Sequence, residues 1–252
     1  MEQYLAWKQL VKDGGGDLWQ QIYVKFYQAF IEADRWRQYL QGVGTTLLVT
    51  ALALLLGIFL GLIVSIVRTA HDQQRPGRHN PVLGILNGFF KVYVTIIRGT
   101  PMMVQLMIMG LVIFATSRNF ALVGALSLGI NSGAYTSEII RGGLMSVDIG
   151  QMEAGRSLGL NYTDTMRFII VPQAIKAILP SLGNEFIVLL KETSVAGYVA
   201  IKDLTKGGDI IRGATYSPFM PLIAVALIYL VLVIFFSWLV GKLERRLRSS
   251  DH

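Results

Sequence analysis

Amide and ionisable side chains set within long apolar stretches are where this sequence has chemistry to do. Gln105 interrupts the apolar run from Met102 to Ala115. Asn131, Ser132, Tyr135 and Glu138 lie in a second run, and Asn184, Glu185, Lys191 and Glu192 in a third. Such groups are expensive to take out of water, so each is expected to face a polar cavity or a partner side chain. Asn184 and Lys191 share one helical face at i, i+7, and Glu185 and Glu192 share the adjacent one. Asn131, Tyr135 and Glu138 form another polar stripe. Glu138 and Arg141 are spaced to pair at i, i+3, and mutual pairing is their expected role. For Lys191 and Glu192 a structural role and a place on a solute path both stay open. These are groups that hold helices together or bind a polar solute. Bond-breaking chemistry has no matching residues. There are no cysteines, so no thiolate nucleophile, disulfide framework or Cys-ligated metal. The three histidines, His71, His79 and His252, lie outside the apolar runs, and no H-E-x-x-H metal motif occurs.

The elements that position these groups are membrane spans. Hydrophobic residues make up 53% of the 252 residues and charged residues 15%, against about 25% charged in a soluble domain. Five spans are expected. Gly42–Val67 is uncharged and carries a G-x-x-x-G at Gly57 and Gly61, a pattern that permits close helix approach. Val82–Thr116 is too long for one bilayer crossing, at about 50 Å as a helix. It is expected to start in the cytoplasm and to kink near Pro101, with Arg98 and Thr100 fixing the kink. Phe120–Ile140, Ala177–Ile201 and Phe219–Gly241 complete the set, and the stretch from Lys202 to Pro218 reads as a polar loop. Ahead of the spans, Tyr23, Phe26, Tyr27 and Phe30 fall at helical spacing, as in an amphipathic helix at the lipid interface. Gly14-Gly15-Gly16 should break that region in two.

Basic residues orient the array. Five Lys/Arg against one acid lie between Arg68 and Arg98, and the tail KLERRLRSS is basic. Five spans then put the N-terminus outside and the C-terminus in the cytoplasm of a multi-pass plasma-membrane protein. The net charge of +7 is accounted for by this bias and does not call for nucleic acid. No cleavable signal peptide is visible.

One polar interval between spans has a specific pattern. From Glu153 to Pro172 the sequence reads EAGRSLGLNYTDTMRFIIVP. Glu153, Ala154 and Gly155 are followed after three residues by Gly159, and further on by Ile169, Val171 and Pro172. Small residues let another protein approach the backbone closely. Glu153 suits a helix N-terminal turn, Gly159 the left-handed position that ends a helix, and Pro172 the first turn of the next. The interval is expected to be a short rigid cytoplasmic helix and turn gripped by a partner.

This pattern resembles the EAA motif of ABC importer permeases, with Gly155 in place of the usual second alanine and Val171 in place of the usual leucine. RGTPMMVQL from Arg98, NSGAYTSEIIRGG from Asn131 and GNEFIVLLKETS from Gly183 resemble the polar amino acid permeases of the histidine/glutamine/arginine group. The resemblance covers roughly Thr45 to Leu243. It implies an all-α polytopic membrane protein with the type I ABC importer transmembrane fold: five spans and a cytoplasmic coupling helix. The implied layout is an N-terminal segment 1–40, a transmembrane domain 41–243 and a basic tail 244–252. The implied partners are a cytoplasmic ABC ATPase dimer, a second permease subunit (the same chain or a relative), an extracellular solute-binding protein and the amino acid itself.

The residues expected to contact the ATPase are Glu153, Ala154, Gly155, Ser157, Gly159 and Leu160. Those expected along the substrate path are Gln105, Asn131, Asn184, Glu185 and Lys191, where amides and charges of both signs would suit an ammonium and a carboxylate. No G-x-x-x-x-G-K-[ST] loop occurs, so ATP and magnesium belong to the partner. No internal repeat of the kind common in gradient-driven carriers is found.

Overall fold

The computed structural model describes residues 2–74 and 80–248. Part of the polar loop before Pro81, with His79, and the end of the basic tail, with His252, lie outside the described residues. Regular structure among the described residues is helical throughout. Two short helices come first, α1 (Glu2–Lys12) and α2 (Leu18–Phe30). The long helix α3 (Trp36–Asp72) is followed by α4 (Pro81–Gly99) and α5 (Met102–Met107), which widens into a π-helical turn over Ile108–Ile113. Then come α6 (Phe120–Met145), α7 (Ile149–Ser157), α8 (Tyr162–Thr165), α9 (Val171–Glu192), α10 (Leu204–Thr215) and α11 (Phe219–Arg248).

Among the described residues, four helical runs are long and apolar enough to cross a membrane: Glu32–Asp72, Pro81–Gly99, Tyr162–Val199 and Phe219–Leu247. Helix α6 is not among them because Gly, Ser and Asn131 dilute its hydropathy. Its 26 residues nonetheless reach about 39 Å, enough for a bilayer core. It is the central helix, packed mainly on α3 and α9. Small residues make the α3–α6 contact possible. A Cβ at Gly57 would stand 2.7 Å from Ser132 Oγ, and one at Gly61 would stand 2.7 Å from Thr136 Cγ2. Without a hydrophobic drive between helices in lipid, this close approach is what holds them.

Three expectations are corrected. The chain near Pro101 is broken rather than kinked. Thr100 and Pro101 are both extended, with φ/ψ of −121/145 and −64/134. A residue before proline is pushed out of the α region, and here the helix stops there. Pro172 does stand in the first turn of α9, but α9 is not a fresh start. It continues from α8 through π-helical geometry over Met166–Ile170. Proline lacks an N–H and its ring crowds the carbonyl four residues back, and a widened turn relieves both. The stretch expected as a polar loop after the fourth span forms α10.

Helix α10 is amphipathic. Leu204, Gly207, Gly208 and Ile211 are buried at i, i+3, i+4, i+7. Asp203 caps it, accepting from the backbone N–H of Thr205 at 2.9 Å and of Lys206 at 3.0 Å. Burial pushes the Asp203 carboxyl up from its ordinary range, against those bonds. Tyr229 of α11 donates to the same carboxylate at 3.3 Å, and Thr46 of α3 accepts from the Leu204 N–H at 3.2 Å. Three helices are thus joined at the end of the bundle away from α7.

Candidate functional site

The most exposed short helix between spans is α7. Asp148 starts it, accepting from the Gly150 N–H at 2.7 Å. Its end is a Schellman turn. The Leu160 N–H donates to Gly155 O at 3.2 Å and the Gly159 N–H to Arg156 O at 3.0 Å. Gly159 has φ +85, which an L side chain rarely adopts, and there is open space where its Cβ would be. The next turn is fixed by Asn161, which accepts from the Asp164 N–H at 2.9 Å and donates to its carboxylate at 2.6 Å.

Two faces of α7 differ. Gly155 is buried, and a Cβ there would meet Thr165 Cγ2 at 2.7 Å and Ile169 Cδ1 at 3.0 Å. Its small size therefore serves packing within the chain, against α8, and not the approach of a partner as its type suggested. Glu153, Ala154, Arg156, Ser157 and Gly159 are exposed, and Leu160 is half-buried. Leu158, which the sequence reading left out, is 83% exposed. Glu153 and Arg156 have no ion-pair partner among the described residues. The result is a short helix pinned along one side and offering apolar and charged groups on the other.

Within the membrane the candidate residues separate into distinct places. Gln105 bridges the helix break. Its amide nitrogen reaches Ile97 O at 2.8 Å, Thr100 Oγ1 at 2.7 Å and Thr100 O at 3.1 Å. These include carbonyls freed where α4 ends. Its amide oxygen accepts from Asn131 Nδ2 at 2.9 Å. Asn131 is 3% exposed, so this amide-to-amide bond is shielded from solvent. The next residue, Ser132, turns the other way and donates to Glu185 Oε1 at 2.7 Å. Adjacent residues of α6 thus tie it to α5 on one side and α9 on the other.

Asn184 does not join them. It lines a polar cleft of about 640 Å³ with Ser146, Asp148, Gln173 and Lys176, at the α7 end of α9. Lys191 is exposed beside half-buried Glu192. Glu138 and Arg141 pair at 3.6 Å, but Glu138 also pairs with Arg68 of α3, and Arg141 reaches Asp72 at 3.7 Å. Arg98 stacks over the Tyr135 ring at 5.3 Å and not on the break it was expected to fix. Ser132 and Arg68 are the partners that sequence reasoning missed. Both lie far along the chain from the acids they meet, and no local spacing marks them.

A helical membrane chain with a central polar helix and an outward-facing helix between spans has the architecture of a transport subunit. The chain matches the model of the family described as binding-protein-dependent transport system inner membrane component over residues 81–249, and it belongs to that family. It is 35% identical over 217 residues to the arginine transport system permease protein ArtQ of Bacillus subtilis, covering 84% of this chain and 93% of that one. To the glutamine transport system permease protein GlnP of Escherichia coli it is 32% identical over 213 residues, covering 83% and 92%. Among solved structures it is similar to an amino acid ABC transporter crystallised with histidines. That match has TM-score 0.74 and 40% identity, over 83% of this chain and 94% of that one. An inward-facing MetNI methionine ABC transporter shares the fold at TM-score 0.70 and 19% identity, over 83% and 96%.

Proposed function

We propose that this chain is the transmembrane permease subunit of an ATP-driven importer for a polar amino acid, working by alternating access. The observation that carries the reading is α7: a capped helix buried along Gly155 and exposed along Glu153, Ala154, Ser157, Leu158 and Gly159. A cytoplasmic ATPase dimer binds that exposed edge, holding ATP and magnesium itself. Nucleotide binding there biases two arrangements of the spans.

In this reading α3, the broken pair α4–α5, α6, the α8–α9 run and α11 are the five spans, and the basic loops and tail support an N-terminus outside and a C-terminus in the cytoplasm. Residues 1–40 precede the transport domain 41–243, and 244–252 form the tail. A second permease subunit completes the path, and an extracellular solute-binding protein delivers the amino acid to the α10 side. The path in this subunit runs beside α6, past the Gln105–Asn131 and Ser132–Glu185 pairs, with Asn184 toward the α7 end of α9 and Lys191 toward its other end.

Co-purification of the tagged chain from native membranes, beside Gly159→Arg, tests the coupling. An ATPase subunit recovered with the native chain and lost with the variant is the expected result. A folded native chain that brings down no ATPase overturns it and favours an ion-gradient carrier. Amino acid uptake by Gln105→Ala, Asn131→Ala, Asn184→Ala and Glu185→Ala, each with ATP hydrolysis intact, tests the path. Unchanged uptake in all four removes these residues from it.

A further inference from the structure

We infer that α2 is a membrane-interface anchor that lays one face into the headgroup–acyl boundary of a phospholipid bilayer, at the end of the bundle opposite α7. The pattern of exposure on α2 is inverted. Its exposed side chains are Leu18, Trp19, Ile22, Tyr23 and Phe26, all of them apolar or aromatic. Its polar side chains Gln20, Gln21, Lys25 and Gln28 are all half-buried. The exposed five cluster on one side of a helical wheel. A helix in water shows the opposite arrangement. Two of the aromatics that sequence spacing assigned to the lipid face are turned inward: Tyr27 stacks on Tyr4 at 4.0 Å, and Phe30 on Tyr39 at 5.3 Å.

The helix is held rigidly in this attitude. Asp17 and Gln20 form a capping box at its start. Helix α1 folds back along it through the Tyr4–Tyr27 stack, the Trp7–Tyr23 edge contact and the Lys8–Glu32 ion pair. Its inner side packs on α10 and α11. Helix α1 is mixed by comparison, exposing Glu2, Gln3, Gln9 and Lys12 together with Leu5 and Leu10.

Lipid is the occupant that fits the apolar face. With 13 residues α2 is about 20 Å long, too short to cross the core. Trp and Tyr are the side chains that settle at headgroup depth. Beyond α2, Trp36 and Leu40 at the start of α3 are likewise exposed. Lys25 flanks the apolar face of α2, with no ion-pair partner among the described residues, and is placed for lipid phosphate.

The test uses the full chain with Trp7→Phe, Trp36→Phe and Trp238→Phe, so that Trp19 alone fluoresces. It is reconstituted in phosphatidylcholine–phosphatidylglycerol vesicles whose acyl chains are brominated near the headgroup, near the tail end, or not at all. Thermal melting against the native chain shows that the triple variant is folded. Quenching of Trp19, greater from shallow bromine than from deep, is the expected result. No quenching from either position overturns the inference. So does efficient cross-linking of Trp19→Cys between two permease chains, which would make the face a subunit interface. The readout needs neither an ATPase nor transport, so its failure leaves the coupling proposal standing.

Discussion

Helices α6 and α11 invert the rule that governs soluble proteins. Helix α11 is uncharged and apolar through most of its length, and Leu230, Val231 and Ile234 stand more than half exposed. Helix α6 carries Asn131, Ser132, Thr136 and Ser137, all buried. In lipid the apolar surface marks the outside, while polar and small residues mark the contacts between helices. Backbone approach and hydrogen bonds, not segregation from water, therefore set the stability of the centre. Substitutions that add bulk or remove a bond at α6 should cost most, and apolar truncations on α11 least.

The largest effect is expected from Gly61→Leu. A first side-chain carbon already lies 2.7 Å from Thr136 Cγ2, and the remaining atoms have no room. A loss of about 3 kcal/mol, at the upper end of the overpacking range, is expected. Thermal melting in detergent, followed by size-exclusion fluorescence, measures it. A variant that melts with the native chain would mean that α3 and α6 do not pack as closely as described.

Next is Glu185→Ala, which removes the acceptor of the Ser132 hydroxyl and opens a gap between α6 and α9. A loss of about 2 kcal/mol is expected. Glu185→Gln keeps an acceptor oxygen in place and should recover most of it. Equal losses for both variants would show that charge, and not the hydrogen bond, is what Ser132 needs. Gln105→Ala follows, at about 1 kcal/mol. It strips Asn131 of its partner but leaves Thr100 Oγ1 bonded to Ile96 O at 2.8 Å, so part of the break stays capped. Hydrogen exchange at the α4–α5 junction should rise with it.

How much of this was legible in the sequence follows the same division. The uncharged spans α3 and α11 announce themselves by composition, and the end of α7 by Gly159; its start was misplaced at Glu153, which lies mid-helix behind the Asp148 cap. Glu153–Pro172 was readable because its spacing is a property of consecutive residues. Helix α10 was equally readable in principle. Leu204, Gly207, Gly208 and Ile211 follow the helical period behind an Asp203 cap, but two glycines carry half of that stripe and their burial has no hydrophobic signature. The inward turn of Gly155 was hidden for the same reason, since a small residue can face a partner or its own chain. The break at Thr100–Pro101 was underread as a kink. Its stabilising group, Gln105, looked like a lone polar residue facing a path. Pairings such as Ser132–Glu185 and Arg68–Glu138 depend on which helices are neighbours, and that is set by the assembled bundle.

The smallest effect is expected on the outward face of α11, where it sharpens the contrast furthest. Val231 is 65% exposed, so Val231→Ala removes methyl groups that touch no other part of this chain's core. Lipid tails are as apolar as the side chain they replace, so no transfer free energy is lost of the kind that makes core truncations costly in water. A change within about 0.5 kcal/mol is expected, as for surface positions generally. Melting of the purified single subunit and of the assembled transporter separates two readings of that face. If both are unmoved, Val231 faces lipid in the assembly as well as in the single subunit. If only the assembled form loses stability, a second permease covers α11, and this outward apolar face is an interface between subunits.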